Sequence, residues 1–138
     1  MKKLVAIVSI IAFTIGCSES EDNLEVTQEN LVGNWKLIQA YNDPGDGSGD
    51  FEPVQDGYRF TLNEDGTFTS ERLIECATGT YTIEDNTKLV FNYDCDNFTE
   101  VYIDIIRFSG NDLITSPREP FACIEGCSKK FSKNGLFF

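Results

Sequence analysis

From residue 34 onward, short runs rich in aromatic and β-branched residues alternate with clusters of Gly, Asn and Asp. No long stretch repeats its apolar positions every 3.6 residues, so the pattern predicts strands joined by turns. The predicted strands cover residues 35–41, 58–63, 67–74, 80–83, 88–93, 99–108, 112–116 and 127–132. Alternation turns Tyr58 and Phe60 to one face, then Tyr81 and Ile83, then Leu89, Phe91 and Tyr93. Along 99–108 the apolar face reads as Val101, Ile103 and Ile105. The parity set by Phe68 turns Ser70 and Arg72 inward, and a buried Arg needs a partner or a wet interior. Glu64-Asp65-Gly66, Asp85-Asn86 and Ser109-Gly110-Asn111 supply the tight turns. Residues 42–56 read as a long loop, and 24–31 as a short helical turn capping one end.

Eight consecutive strands with mostly short connections predict an all-β fold, an antiparallel up-and-down barrel whose closure leaves no free edge. If the hairpin at 64–66 marks the bottom, Cys76, Cys95, Cys123 and Cys127 all gather at the top rim, together with loop 42–56. Four cysteines outside the cytoplasm read as two disulfides, with three pairings open. Cys76–Cys95 with Cys123–Cys127 ranks first on sequence nearness alone. A Cys₄ zinc site is the competing reading, disfavoured because no Cys-x2-Cys pair is present.

The chain of 138 residues carries 11 Lys+Arg against 23 Asp+Glu, for a net charge of −12, and no His. That balance argues against nucleic acid, whose phosphates need clustered cations. The lack of His removes Ser-His-Asp and Cys-His catalysis and every His-ligated metal site. Oxygen side chains alternate through Asp46–Glu52 as in a calcium loop, but Phe51 stands where that motif needs Gly, so a mobile acidic loop is the default. No enzyme activity, cofactor or metal is expected.

The first residues are an address. Met1-Lys2-Lys3 precedes an apolar run over 4–15, shorter than the ~20 residues a spanning helix needs. Gly16-Cys17 at its end resembles the bacterial lipoprotein signal. That resemblance implies removal of residues 1–16 and lipid attachment at Cys17, with Thr14 where Leu is usual. Loss of Lys2 and Lys3 with no acid would leave a net charge of −14, so anchoring would rest on the acyl chains and not on a basic patch. Glu19, Glu21 and Asp22 resemble the surface-export signal of Bacteroidetes lipoproteins, which implies an outer-membrane anchor facing the cell surface; the competing reading is a solvated spacer on a periplasm-facing anchor. Residues 17–30 read as an acidic tether and 31–138 as the barrel.

Gly33-x-Trp35 at the first strand, Asp65-Gly66-Thr67-Phe68 and Gly79-Thr80-Tyr81 together resemble the lipocalin-like lipoproteins of Bacteroidetes. The resemblance implies a cup closed below by Trp35, with a basic residue of the last strand, Lys130 or Lys133, lying over it. It also implies a small apolar or amphipathic ligand held without covalent bonds. Candidate lining residues are Tyr58, Phe60, Phe68, Arg72, Tyr81, Phe91 and Ile103. The inward aromatics either fill the lumen or surround a cavity. A second class of function stays open: an interaction protein or inhibitor, its solid barrel offering acidic, disulfide-stiffened loops to a basic protein partner.

Overall fold

The computed structural model describes residues 23–122 and 126–133. The predicted signal at 1–16, Cys17, the acid-bearing segment 18–22 and Cys123 lie outside the described residues. Among the described residues, no helix is long and apolar enough to cross a membrane.

A single helical turn, α1 (Gln28–Leu31), precedes nine strands. These are β1 (Gly33–Asn42), β2 (Asp50–Pro53), β3 (Arg59–Leu62), β4 (Thr67–Ser70), β5 (Thr78–Glu84), β6 (Lys88–Cys95), β7 (Phe98–Ser109), β8 (Asp112–Glu119) and β9 (Lys129–Lys133). Every pairing is antiparallel, and β9 returns to β1 (Leu37 opposite Phe131), so β1 and β3 through β9 close an eight-stranded barrel. The sheet closes, with its core, between residues 28 and 133. β2 was not expected: part of the predicted loop 42–56 folds back as a strand against the upper half of β1, Gln39–Asn42. Below, the same edge of β1 is taken by β3, Trp35 opposite Phe60. Where β3 leaves that edge, β1 still presents unpaired N–H and C=O groups, and β2 satisfies them.

The turns are built by local chemistry. Asp65 Oδ1 accepts from the Thr67 backbone N–H at 2.9 Å and from its hydroxyl at 2.6 Å, which tightens the β3–β4 hairpin. In the three-residue connection between β5 and β6, Asp85 and Asn86 adopt φ values of 52° and 51°, a left-handed conformation these residue types tolerate, and the Thr87 N–H closes the turn on the Glu84 carbonyl at 3.1 Å. The predicted strand 67–74 stops early, at Ser70, whose hydroxyl accepts from the Arg72 backbone N–H at 3.1 Å. Beyond it the chain turns away and leaves Ile74 fully exposed.

The bottom is closed by α1. Leu31 and Trp35 are completely buried there, and the Trp35 indole N–H donates to the Leu31 carbonyl at 2.8 Å. Lys133 lies over the Trp35 ring, its Nζ 5.4 Å from the centroid, and donates to the Asn30 carbonyl at 2.9 Å. Gly33 makes room for this arrangement: its φ is +138° and the Lys133 stem passes 2.6 Å from where a Cβ would sit. Lys130 instead stands over Phe51 of β2. The chain ahead of α1 docks on the same end, where Asn23 Oδ1 accepts from the Gly110 N–H at 2.7 Å. Residues 23–30 of the predicted tether thus lie against the barrel's base.

Above that floor, aromatic rings fill the lumen. Phe68 meets Phe91 and Tyr93 edge-on, each at 4.9 Å between centroids, and Phe60 meets Phe131 at 5.0 Å. Gly79 lets this happen, because a Cβ there would strike both the Asn92 carbonyl and the Phe68 ring. One facing is reversed from expectation. On β7 the buried positions are Asp104, Ile106 and Phe108, while Val101 is exposed and Ile103 and Ile105 are only half-buried. Ile103 lies opposite Val90 on the outer wall, not in the lumen. Both faces of β7 carry large apolar residues, so counting apolar positions selects the face that lacks the buried Asp104.

Candidate functional site

The top of the barrel is crowded with loops that the cysteines hold. Cys76, in the β4–β5 connection, is bonded to Cys95 at the end of β6, and Cys127, just before β9, is also disulfide-bonded. The inward side chains change character here, from hydrocarbon rings to Ser70, Arg72, Tyr58, Tyr93, Tyr102, Asp104 and Lys129.

Arg72 is the centre of this layer. Its Nη1 donates to Asp104 Oδ2 at 3.0 Å, and its guanidinium lies 4.8 Å over the Tyr102 ring. The two charged side chains are 15% and 5% exposed, so the pair is screened little by water. Burial pushes the Asp104 carboxyl above the ordinary carboxylate range, against the opposing pull of Arg72 and Lys129. Asp104 Oδ1 has no hydrogen-bond partner among the described residues. Lys129 stands nearby with its Nζ 5.2 Å from the Tyr58 ring centroid. Burial, and then the charge of Arg72, lower the pKa of its ammonium. The Tyr58 hydroxyl is pushed well above its usual range, chiefly by burial.

Arg72 and Tyr102 form one side of a cleft of about 290 Å³. Pro117, Pro120, Phe121 and Cys127 form the other, and the Phe121 ring is 78% exposed at the lip. This is the concave site in which apolar walls meet a buried charge, the usual composition of a small-molecule site. A wider hollow of about 630 Å³ lies on the outer wall, lined by threonines such as Thr67, Thr69, Thr78 and Thr80. It is an open, hydroxyl-faced depression outside the barrel and does not combine apolar walls with a buried charge.

The predicted lining residues scatter. Arg72 reaches the cleft. Tyr58 lies beneath it, T-shaped against Phe131, and Phe60, Phe68 and Phe91 occupy the middle of the lumen, packed on one another. Tyr81 lies near the floor, where its hydroxyl donates to the Asn63 carbonyl at 2.8 Å. Ile103 faces the other side of the sheet, for the reason given above. Tyr102, Asp104 and Phe121 were not anticipated. A signal for Asp104 existed: an inward Arg72 demands an inward acid, and Asp104 stands inside an otherwise apolar run. In and beside the calcium-like loop the aspartates cap nearby backbone N–H groups, while Glu52 accepts from the Asn42 side-chain amide at 3.4 Å. Asp43 Oδ1 accepts from the Gly45 and Gly47 N–H groups, and Asp46 Oδ1 from that of Ser48.

No curated protein and no solved structure matches the chain. A family model, described as a lipocalin-like domain, matches residues 31–115. The match begins at the buried Leu31 of the floor and ends inside β8, before the loop that carries Phe121. It covers Gly33 and Trp35, the Asp65 hairpin, Gly79 and both members of the Arg72–Asp104 pair. A closed eight-stranded antiparallel barrel, a tryptophan floor capped by a lysine and this match agree: the chain belongs to the lipocalin-like domain family.

Proposed function

We propose that this protein is a non-enzymatic binding protein that takes up a small amphipathic molecule in the cleft at the open end of its barrel. The observation that carries the reading is the cleft itself, whose apolar walls converge on Arg72. The lumen below is filled with rings, so the ligand sits at the mouth rather than deep in the cup. At about 290 Å³ the cleft lies at the low end of small-molecule sites, which suits a small ligand or one end of a longer one.

The same reading places the protein on the outer membrane, facing the cell surface, held by lipid on Cys17 after removal of residues 1–16. Two features support it: the sequence Gly16-Cys17 behind a short apolar run, and the docking of Asn23 on the closed end, which directs the mouth away from an anchor. An intact-mass measurement on protein recovered from membranes tests the anchor. The expected species begins at Cys17 and carries acyl chains; a chain retaining Met1, or one lacking acyl mass, overturns it.

Binding is tested on residues 18–138, which contain the whole closed sheet. An environment-sensitive apolar dye should show saturable fluorescence enhancement, and Phe121→Ser, at an exposed position, should weaken it. Absence of saturable binding refutes the function.

A further inference from the structure

We infer that the ligand's polar end is an anionic, acceptor-only group, a carboxylate or a phosphate, seated on the open edge of the Arg72 guanidinium while its apolar part lies against Pro117, Pro120 and Phe121. This deepens the function proposed above and rests on it.

The first argument is a donor count. A guanidinium carries five N–H donors. Among the described residues, the Arg72 fork makes one hydrogen bond, from Nη1 to Asp104 Oδ2. Asp104 Oδ1, and no atom of Arg72, is the buried side-chain atom left without a partner among the described residues, so the remaining Arg72 donors open on the cleft, where a ligand can take the place of their water. A group in the cleft that offers lone pairs and no hydrogens suits those donors, and its charge strengthens each bond.

The second argument is preorganisation. Asp104 grips the fork from below and the Tyr102 ring supports its flat face, so the plane of the guanidinium is set before a ligand arrives. A planar fork held in this way matches the two oxygens of a carboxylate or phosphate.

The third argument is local charge. Arg72 and Lys129 face a single buried carboxylate, Asp104. The other acids near the cleft, Glu119 in its lining and Glu75 and Glu100 beside Tyr102, are exposed and screened by water. The protein as a whole is anionic at −12, yet at physiological salt that repulsion fades over roughly 8 Å, whereas the contact with Arg72 is immediate. A cationic head would meet Arg72 at close range. A neutral head would leave its charge desolvated.

The test compares an acid with its neutral twin on residues 18–138. Dansyl-aminoundecanoic acid should bind about tenfold or more tightly than its methyl ester, the ratio one charge-assisted hydrogen bond gives. Dodecanoate and dodecyl phosphate should displace the acid, and their relative strength separates the two headgroups. Dodecanol and dodecylamine should compete poorly. Arg72→Gln should bring acid and ester to the same affinity, and Arg72→Lys should keep part of the difference. Phe121→Ser should weaken acid and ester alike. Should Arg72→Gln fail to fold, the wild-type acid-to-ester ratio and Arg72→Lys still decide. Equal binding of acid and ester by the wild-type protein overturns the headgroup assignment and leaves the function standing. Failure of both probes to bind overturns the function itself.

Discussion

Arg72 and Asp104 are 32 positions apart in sequence and 3.0 Å apart in space, and neither makes sense without the other. Truncating one member leaves the other charged and buried. Asp104→Ala is therefore expected to destabilise the barrel by about 3–5 kcal/mol, while Arg72→Met with Asp104→Leu should recover most of that loss. Urea unfolding of the two single variants and the double variant measures it; a single-variant cost below about 1 kcal/mol would show the pair to be better hydrated than its burial implies. The phenols around the pair give a second residue-scale expectation. Tyr58, Tyr81, Tyr93 and Tyr102 are all shifted upward, in each case first by burial. The unfolded chain loses these protons near pH 10 while the barrel keeps them, so this contribution to stability is complete below pH 10 and disappears as pH rises beyond it. Absorbance at 295 nm should show the Tyr58 phenolate only as the barrel unfolds; its full ionisation in a barrel still folded by circular dichroism would contradict the assignment.

Among the elements, the hairpins were legible because their signals are local. Asp65-Gly66 and Asp85-Asn86 carry their turn geometry within a few residues, so the eight barrel strands fall close to where alternation puts them. β2 escaped because its pairing is imposed by a vacancy on β1, which no local pattern in 50–53 announces. The facing of β7 escaped for a related reason. Its partner across the lumen is a charge on a distant loop, and apolarity alone cannot choose between two apolar faces. Ser70 faces inward as parity from Phe68 requires, whereas Arg72 lies beyond the end of β4 and is turned inward by its bond to Asp104. Trp35 and Gly33 were legible as a motif, but the lysine that caps them was settled only by geometry, in favour of Lys133. Two element-scale outcomes follow. Replacing Cys76 and Cys95 by Ala frees a loop of 19-residue separation and should cost about 3 kcal/mol, read as a lowered denaturation midpoint. Gly79→Ala should cost about 1–3 kcal/mol by forcing Phe68 and the β6 backbone apart; an unchanged midpoint would mean that β5 shifts freely.

At the scale of the molecule, the barrel is polarised from end to end. The floor is sealed by Leu31, Trp35 and Lys133, the middle is a stack of rings, and the charges and disulfides collect at the mouth. Trp35 is the only tryptophan and is completely buried, so its emission reports on the floor alone. A ligand confined to the mouth should leave that emission unchanged while the bound dye brightens; quenching of Trp35 in step with dye binding would mean that the lumen opens.

The docking of Asn23 on Gly110 has a mechanical corollary. Any tension applied to the chain ahead of Asn23 enters at the sealed base, through the Asn23–Gly110 bond and then through α1 and the Lys133–Asn30 bond. A tug on that end would peel the helical turn from the base before it reached the far rim, which Cys76–Cys95 braces.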